Sequence, residues 1–186
     1  MNLLISGLAI WVIVHFIPSM MPGMKQSILG KLGAKGYKLL FTLCIVVALG
    51  LIIYGWRSSV TEQIYTLSFA TRTVTIGLML LSMILFGAAN YPTRIKNIIR
   101  HPQLMAVTVW SIAHLISNGD SRSIVLFGTM GIWALLEMVL ISKREGAWKK
   151  IEAPAMFREI RGLVISVVIF VVVFYLHEYL SGVALR

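Results

Sequence analysis

Six apolar stretches divide this chain, and they constrain its fold more than any other feature. Each approaches about 20 residues, the length at which a helix crosses the hydrocarbon core of a bilayer. Hydrophobic residues make up 58% of the 186-residue chain, which is above the roughly 45–50% of soluble domains. The sequence therefore predicts an all-α, polytopic transmembrane helix bundle of about six spans. We expect the spans at residues 3–20, 39–56, 73–89, 104–117, 124–141 and 163–180.

The basic residues alternate between the connections that join these spans. Connections one, three and five hold thirteen Lys and Arg residues, whereas the remaining segments share four. An excess of Lys and Arg marks the cytoplasmic side of a membrane protein, so both termini are predicted on the outer side, opposite this basic side. The net charge of +10 follows from this bias and favours contact with anionic membrane lipid. It does not indicate nucleic-acid binding.

The connections are too short to form a second domain, so residues 1–186 are predicted to be a single transmembrane domain. Connection one contains a proline and four glycines and is predicted to form a short, broken helix in the interface. Asn118, Gly119 and Asp120 predict a tight outer turn, with Asp120 or Ser121 as the N-cap of the fifth span. Spans four and five should therefore be antiparallel neighbours.

Two intramembrane histidines are the strongest indication of function. At about 1.5 Å per residue, His15 lies roughly 18 Å below the outer boundary and His114 roughly 20 Å above the inner one, in a core about 30 Å thick. Their levels then differ by only several ångström. Axial imidazoles commonly hold a haem iron, and ionisable residues inside a membrane are costly enough to suggest function. Either histidine alone is explained equally well by a hydrogen bond to a neighbouring helix.

Trp110 is a further cofactor-binding candidate, and three other residues, His101, His177 and Glu137, are secondary candidates. Trp110 lies one turn before His114 and shares its face, where it would stack on a macrocycle or pack between helices. His101 precedes a proline at a predicted helix start, and His177 is a reserve ligand nearer the outer surface. Glu137, well inside the fifth span, is open to three roles: a histidine partner, a proton site or a partner for the basic residues of connection three. The ten methionines show no metal-binding spacing, which disfavours copper.

The residues around His114 resemble a known family signature. The segment WSIAHLISNGD at 110–120 follows RHPQ at 100–103, and an early His15 precedes Pro18. Together these features resemble the NnrU family of membrane proteins over most of the chain. That resemblance implies a link to nitrite and nitric oxide reduction in the cytoplasmic membrane of denitrifying bacteria. The family is also similar to zeta-carotene isomerase, whose haem b is held by two histidines that correspond by motif to His15 and His114.

Three functions follow from these observations. The first is a haem b protein with His15 and His114 as axial ligands and Trp110 beside the cofactor, serving nitrogen-oxide metabolism or haem-dependent isomerisation. The second is a non-enzymatic accessory or assembly protein for a respiratory nitrogen-oxide reductase. The third is a membrane methyltransferase, suggested by the Arg-His-Pro sequence at 100–102 but without the paired glutamates of such enzymes.

Overall fold

The computed structural model describes residues 1–66 and 71–182 and consists of six α-helices and one short 3-10 helix. The all-α prediction is confirmed. Arg186, one of the four basic residues assigned to the outer side, lies outside the described residues. The α-helices are α1 (Asn2–Met20), α2 (Pro22–Ser58), α3 (Thr71–Asn90), α4 (Pro102–Ser117), α5 (Ser121–Glu145) and α6 (Met156–Ser181), and the 3-10 helix is Arg94–Asn97.

Five of the described helices are long and apolar enough to cross a membrane: α1, α2, α3, α5 and α6. The exception is α4, which has 16 residues. Its length is about 24 Å at 1.5 Å per residue, which is shorter than a hydrocarbon core of about 30 Å. The prediction of about six spans is thus met by five full-length helices and one short helix. The 3-10 helix Arg94–Asn97 precedes α4 at its basic end.

Connection one is helical and broken, as predicted, and it joins the second span directly after the break. Helix α2 begins with Pro22 in its first turn, a position that suits proline because its missing N–H would be unpaired there. The helix is interrupted at Gly33, where φ is 69° and ψ is 175°. Only glycine adopts this conformation readily, so Gly33 marks the break between the segment 22–32 and the membrane-spanning part of α2.

Helices α1, α5, α4 and α3 follow one another as neighbours. Helix α1 packs on α2 and α5, α4 packs on α5 and α3, and α3 packs on α6. The predicted contact between spans four and five is confirmed. Among the described residues, α1 and α3 have at most marginal contact with each other. Residues of all four helices nevertheless line one cavity, so the row of four is curved, and we call it the crescent.

The outer turn between α4 and α5 is fixed by hydrogen bonds. The carboxylate of Asp120 accepts a bond from the backbone N–H of Ser123 at 3.1 Å, which confirms Asp120 as the N-cap of α5. The carbonyl of Gly119 accepts bonds from the backbone N–H groups of Ile64 and Tyr65. The loop after α2 therefore lies across this turn and holds the start of α5 in place.

Close packing of α1 on α2 depends on Gly55. A methyl group at this position would overlap the backbone of Leu4, whereas one at Gly50 on the same helix would meet nothing within 4 Å. We predict that Gly55→Ala lowers the melting temperature of the detergent-purified protein by several degrees, since overpacking costs about 1–3 kcal/mol. Gly50→Ala is the matched control and should not lower it. Equal melting temperatures for the two variants would contradict this packing.

Candidate functional site

A cavity of about 1180 Å³ lies inside the crescent and extends toward the basic side. Its inner part reaches Trp11 and His15 on α1, Trp110 on α4, and Trp133 and Glu137 on α5. Apolar side chains of α3, α4 and α5 complete its wall. These are Phe86, Ala89, Leu104, Val107, Met130 and Ile141. The cavity combines apolar walls with a few polar groups, as sites for organic ligands do.

The mouth of the cavity is positively charged. Four basic residues line it, namely Lys96, Arg100, Arg144 and Lys149, together with the acid Glu145. Glu145 lies 3.6 Å from Arg100 and 3.7 Å from Arg144. One carboxylate cannot balance four cations, so the mouth favours an anionic group on a bound molecule.

His15 lines the cavity in a fixed orientation. Its Nδ1 lies 2.8 Å from the carbonyl oxygen of Trp11, four residues earlier. Because a carbonyl oxygen only accepts hydrogen bonds, Nδ1 carries the proton and Nε2 keeps its lone pair. The imidazole ring packs against the rings of Trp11 at 4.4 Å and Trp133 at 5.0 Å between centroids. The lone pair of Nε2 is therefore available to a metal ion or a hydrogen-bond donor.

His114 has the same arrangement one helix further along. Its Nδ1 lies 2.9 Å from the carbonyl oxygen of Trp110, again four residues earlier. The ring stacks on Phe127 of α5 with centroids 4.3 Å apart and contacts Trp110 at 5.0 Å. The chain thus contains two Trp-x-x-x-His segments with the same geometry. The sequence analysis identified the second segment and missed the first, although the spacing of Trp11 and His15 was readable.

The two histidines contact different levels of α5. His114 stacks on Phe127 and His15 packs against Trp133. These two aromatic residues are six positions apart, which corresponds to about 9 Å along the helix axis. Helix α5 is thus the element that both imidazoles contact.

His177, which was predicted to be a reserve ligand, lies close to His114. The two ring centroids are 6.3 Å apart and the ring planes differ by 27°. Imidazoles on opposite sides of one metal ion have centroids about 6 Å apart, because each metal–nitrogen bond is about 2 Å long. The centroid distance thus matches the one expected for His114 and His177 as partners on one metal ion, with the two rings stacked.

Glu137 is buried, with 6% of its surface exposed. Its Oε1 accepts a hydrogen bond of 2.5 Å from the hydroxyl of Ser19 on α1, a partner that the sequence analysis missed. Its Oε2 is buried and has no hydrogen-bond partner in the described part of the chain. The carboxyl group also lines the cavity beside His15. One of its three predicted roles was to pair with a basic residue of connection three. The structure does not show this pairing.

His101 lies at the mouth and starts α4. It occupies the N-cap position before Pro102, as the sequence predicted for a helix start. Its Nε2 is 2.8 Å from the hydroxyl of Ser142 on α5. Burial and, to a smaller extent, the charge of Arg100 lower the pKa of His101 below its usual value. We therefore expect a neutral imidazole that links the basic ends of α4 and α5.

Within residues 1–66 and 71–182, no group of three or more His, Cys, Asp or Glu side chains is arranged to hold a metal ion. A haem iron requires only one or two axial protein ligands. His15, His114 and His177 therefore remain the residues of interest for a cofactor.

Comparison with known proteins identifies a family. Residues 3–185 match the model of the family described as NnrU protein. This match covers nearly the whole chain and confirms the resemblance seen in the sequence. No curated protein and no solved structure gives a significant match.

The bond between Ser19 and Glu137 should stabilise the contact of α1 with α5. We predict that Ser19→Ala lowers the free energy of unfolding by about 1–3 kcal/mol, because it leaves both carboxyl oxygens of Glu137 without a partner. Ser27→Ala, at an exposed position of α2, is the control and should be close to neutral. Reversible unfolding of purified protein in mixed micelles measures both. A neutral effect of Ser19→Ala would show that the carboxyl group finds another partner.

Proposed function

The chain belongs to the NnrU protein family, and on that premise we propose that it binds haem b inside the membrane, with His15 and His114 as axial ligands. The observation that supports this proposal is the shared orientation of the two imidazoles. In each, Nδ1–H is bonded to the carbonyl of a tryptophan four residues earlier. A backbone carbonyl on one ring nitrogen is the usual partner that orients a metal-binding histidine and leaves the other nitrogen free to bind.

The cavity suits a flat, largely apolar molecule with acidic groups. His15 lies on its α1 wall, and Trp110, one turn before His114, lies on its α4 wall. The propionate groups of haem b would pair with the cations of the mouth, among them Arg100 and Arg144. The volume of about 1180 Å³ exceeds the range of about 300–1,000 Å³ that is usual for ligand pockets. The apolar walls, the charge of the mouth and the imidazole of His15 suit the cofactor, whereas His114 is not among the residues that line this cavity.

The positions of the imidazoles define two alternative ligand pairs. His15 and His114 contact α5 through Trp133 and Phe127, six positions apart or about 9 Å along the helix axis. His177 already lies 6.3 Å from His114 and is the alternative partner. Replacement of each histidine in turn distinguishes these two pairs.

We extend the proposal to nitrogen-oxide metabolism in the bacterial cytoplasmic membrane, with haem-dependent isomerisation as the second activity that the family resemblance implies. Haem b, when bound, supplies an iron with two axial positions. The residues of this chain would hold that iron, orient it and exclude water from it. When bound, the iron would supply a binding position for nitric oxide or for a polyene, and His15 and His114 would be the side chains that hold it. The buried aromatic rings of Phe127 and Trp133 keep the surroundings of both histidines apolar.

We predict about one haem b per chain in the detergent-purified wild-type protein, and loss of haem in both His15→Ala and His114→Ala. The reason is that each variant removes one of the two Nε2 ligands. The measurement is a reduced-minus-oxidised absorption spectrum with pyridine haemochrome quantification. His101→Gln is the control, because the Nε2 of His101 is already engaged by Ser142, and it should retain haem.

His177→Ala distinguishes the two ligand pairs. Loss of haem in this variant, together with retention in His15→Ala, would replace His15 by His177 as the partner of His114. A colourless wild-type protein from haem-replete cells would contradict haem binding and favour the accessory or assembly role. Nitric oxide added to the reduced protein should shift the absorption bands, and unchanged bands would contradict a nitrogen-oxide role at this iron.

A further inference from the structure

We propose that a groove between the basic ends of α4 and α5 binds an anionic phospholipid through its phosphate group. The groove has a volume of about 560 Å³, and its described lining comes from α4, from α5 and from the segment that leads into α4. One end is polar and consists of Arg100, His101, Ser142 and Lys143. Of the lining residues, only Arg100 and His101 also line the large cavity. The function proposed above does not use this groove, and the inference does not require that haem be bound.

The groove lies on the outer face of the crescent, away from the large cavity. On α5 it is lined by Val139 and Ser142, whereas Trp133 and Glu137 line the cavity. At 3.6 residues per turn, these two pairs are turned about 120–180° from each other around the helix axis. No residue of α1, α2, α3 or α6 that the structure describes lines the groove. The groove is therefore open to the surrounding lipid.

The polar end of the groove lies at the level of the lipid headgroups. Helix α5 begins at Ser121 on the outer side, and Ser142 is 21 positions later. At 1.5 Å per residue this corresponds to about 32 Å, just beyond a hydrocarbon core of about 30 Å. Met138 lies about one turn earlier and thus within the core. A molecule in the groove would contact both the headgroup region and the hydrocarbon.

The polar end carries positive charge that the chain does not balance. Arg100 is 3.6 Å from Glu145, a carboxylate that it shares with Arg144. Lys143 is exposed and forms no ion pair with any residue that the structure describes. A phosphodiester carries one negative charge and accepts charge-assisted hydrogen bonds, so it complements this end. Basic pockets between helices on the cytoplasmic side of a membrane protein are typical sites for anionic lipid headgroups.

Ser142 and His101 add a neutral hydrogen-bond donor to these charges. The Nε2 of His101 is 2.8 Å from the hydroxyl oxygen of Ser142. When Nε2–H donates to that oxygen, the hydroxyl hydrogen is left to donate to a phosphate oxygen. A bound phosphate would then contact both the start of α4 and the end of α5, and so hold these two basic ends together.

The rest of the groove suits an acyl chain. Met105 on α4 and Met138 and Val139 on α5 line it, each about one turn from the polar end. Ile98, in the segment before α4, also lines it and has 77% of its surface exposed. Methionine is flexible and fits irregular apolar partners well. A free phosphate ion would leave these apolar surfaces uncovered, whereas a phospholipid satisfies both parts of the groove.

The experiment measures lipid binding to the detergent-purified full-length protein by native mass spectrometry. The probes are dioleoyl phosphatidylglycerol and, as the uncharged comparison, dioleoyl phosphatidylcholine. We expect one saturable phosphatidylglycerol per chain and weaker binding of phosphatidylcholine, whose ammonium group cancels the charge of its phosphate. Lys143→Gln should lower the affinity for phosphatidylglycerol about fivefold, because one cation near an anionic headgroup contributes about that factor.

Two control variants should bind phosphatidylglycerol like the wild type. Lys35→Gln removes the same charge from an exposed position of α2 on the basic side, outside the groove. Lys143→Arg keeps the charge in the groove. Lys143 does not line the large cavity, so the haem content of Lys143→Gln should equal that of the wild type.

Three results would overturn the proposal. Equal affinities for the two lipids would show that the charge of the headgroup is not recognised. An effect of Lys143→Gln no larger than that of Lys35→Gln would replace the groove by a general attraction of lipid to the basic side. Displacement of phosphatidylglycerol by an equal concentration of sn-glycerol 3-phosphate would make a free phosphate compound, rather than a lipid, the occupant.

Discussion

The position of α5 between α1 and α4 is the constraint on which the whole site depends. Both histidine rings rest on aromatic residues of this one helix, His114 on Phe127 and His15 on Trp133. Glu137, one turn further along, holds α1 through its bond with Ser19. The start of α5 is fixed by the Asp120 cap. Displacement of α5 would therefore disturb both histidines and the cavity together.

The surrounding bilayer makes unpaired polar groups in the site costly. In hydrocarbon there is no water to satisfy an unpaired N–H or carboxyl oxygen, so such groups are retained where they serve a function or line a cavity. In His15 and in His114, one of the two ring nitrogens has a partner within the chain, which is the carbonyl of a tryptophan. Three other buried atoms, the indole Nε1 atoms of Trp11 and Trp133 and the Oε2 atom of Glu137, have no hydrogen-bond partner among the described residues. The proposed cofactor site therefore lies among groups whose hydrogen bonding the described residues satisfy only in part.

The sequence predicts the helices well and their mutual arrangement poorly. The predicted span at 104–117 corresponds to α4 (Pro102–Ser117), and the outer turn with its Asp120 cap was read correctly. These features depend on local hydrophobicity and turn chemistry. The bond between Ser19 and Glu137 joins residues 118 positions apart, and the levels of His15 and His114 depend on helix tilt. Neither this hydrogen bond nor the level of each histidine depends on a local sequence pattern, so both are seen only in the folded chain.

The proposed function depends on two imidazoles of this chain that bind one haem iron within the membrane. Low-temperature electron paramagnetic resonance of the oxidised, purified wild-type protein tests it most directly, because the spectrum reports the number and type of axial ligands. Two histidine ligands predict a single low-spin ferric signal of the bis-imidazole type. A high-spin ferric signal would contradict a two-histidine site, and the absence of any haem iron signal from haem-replete preparations would contradict cofactor binding altogether.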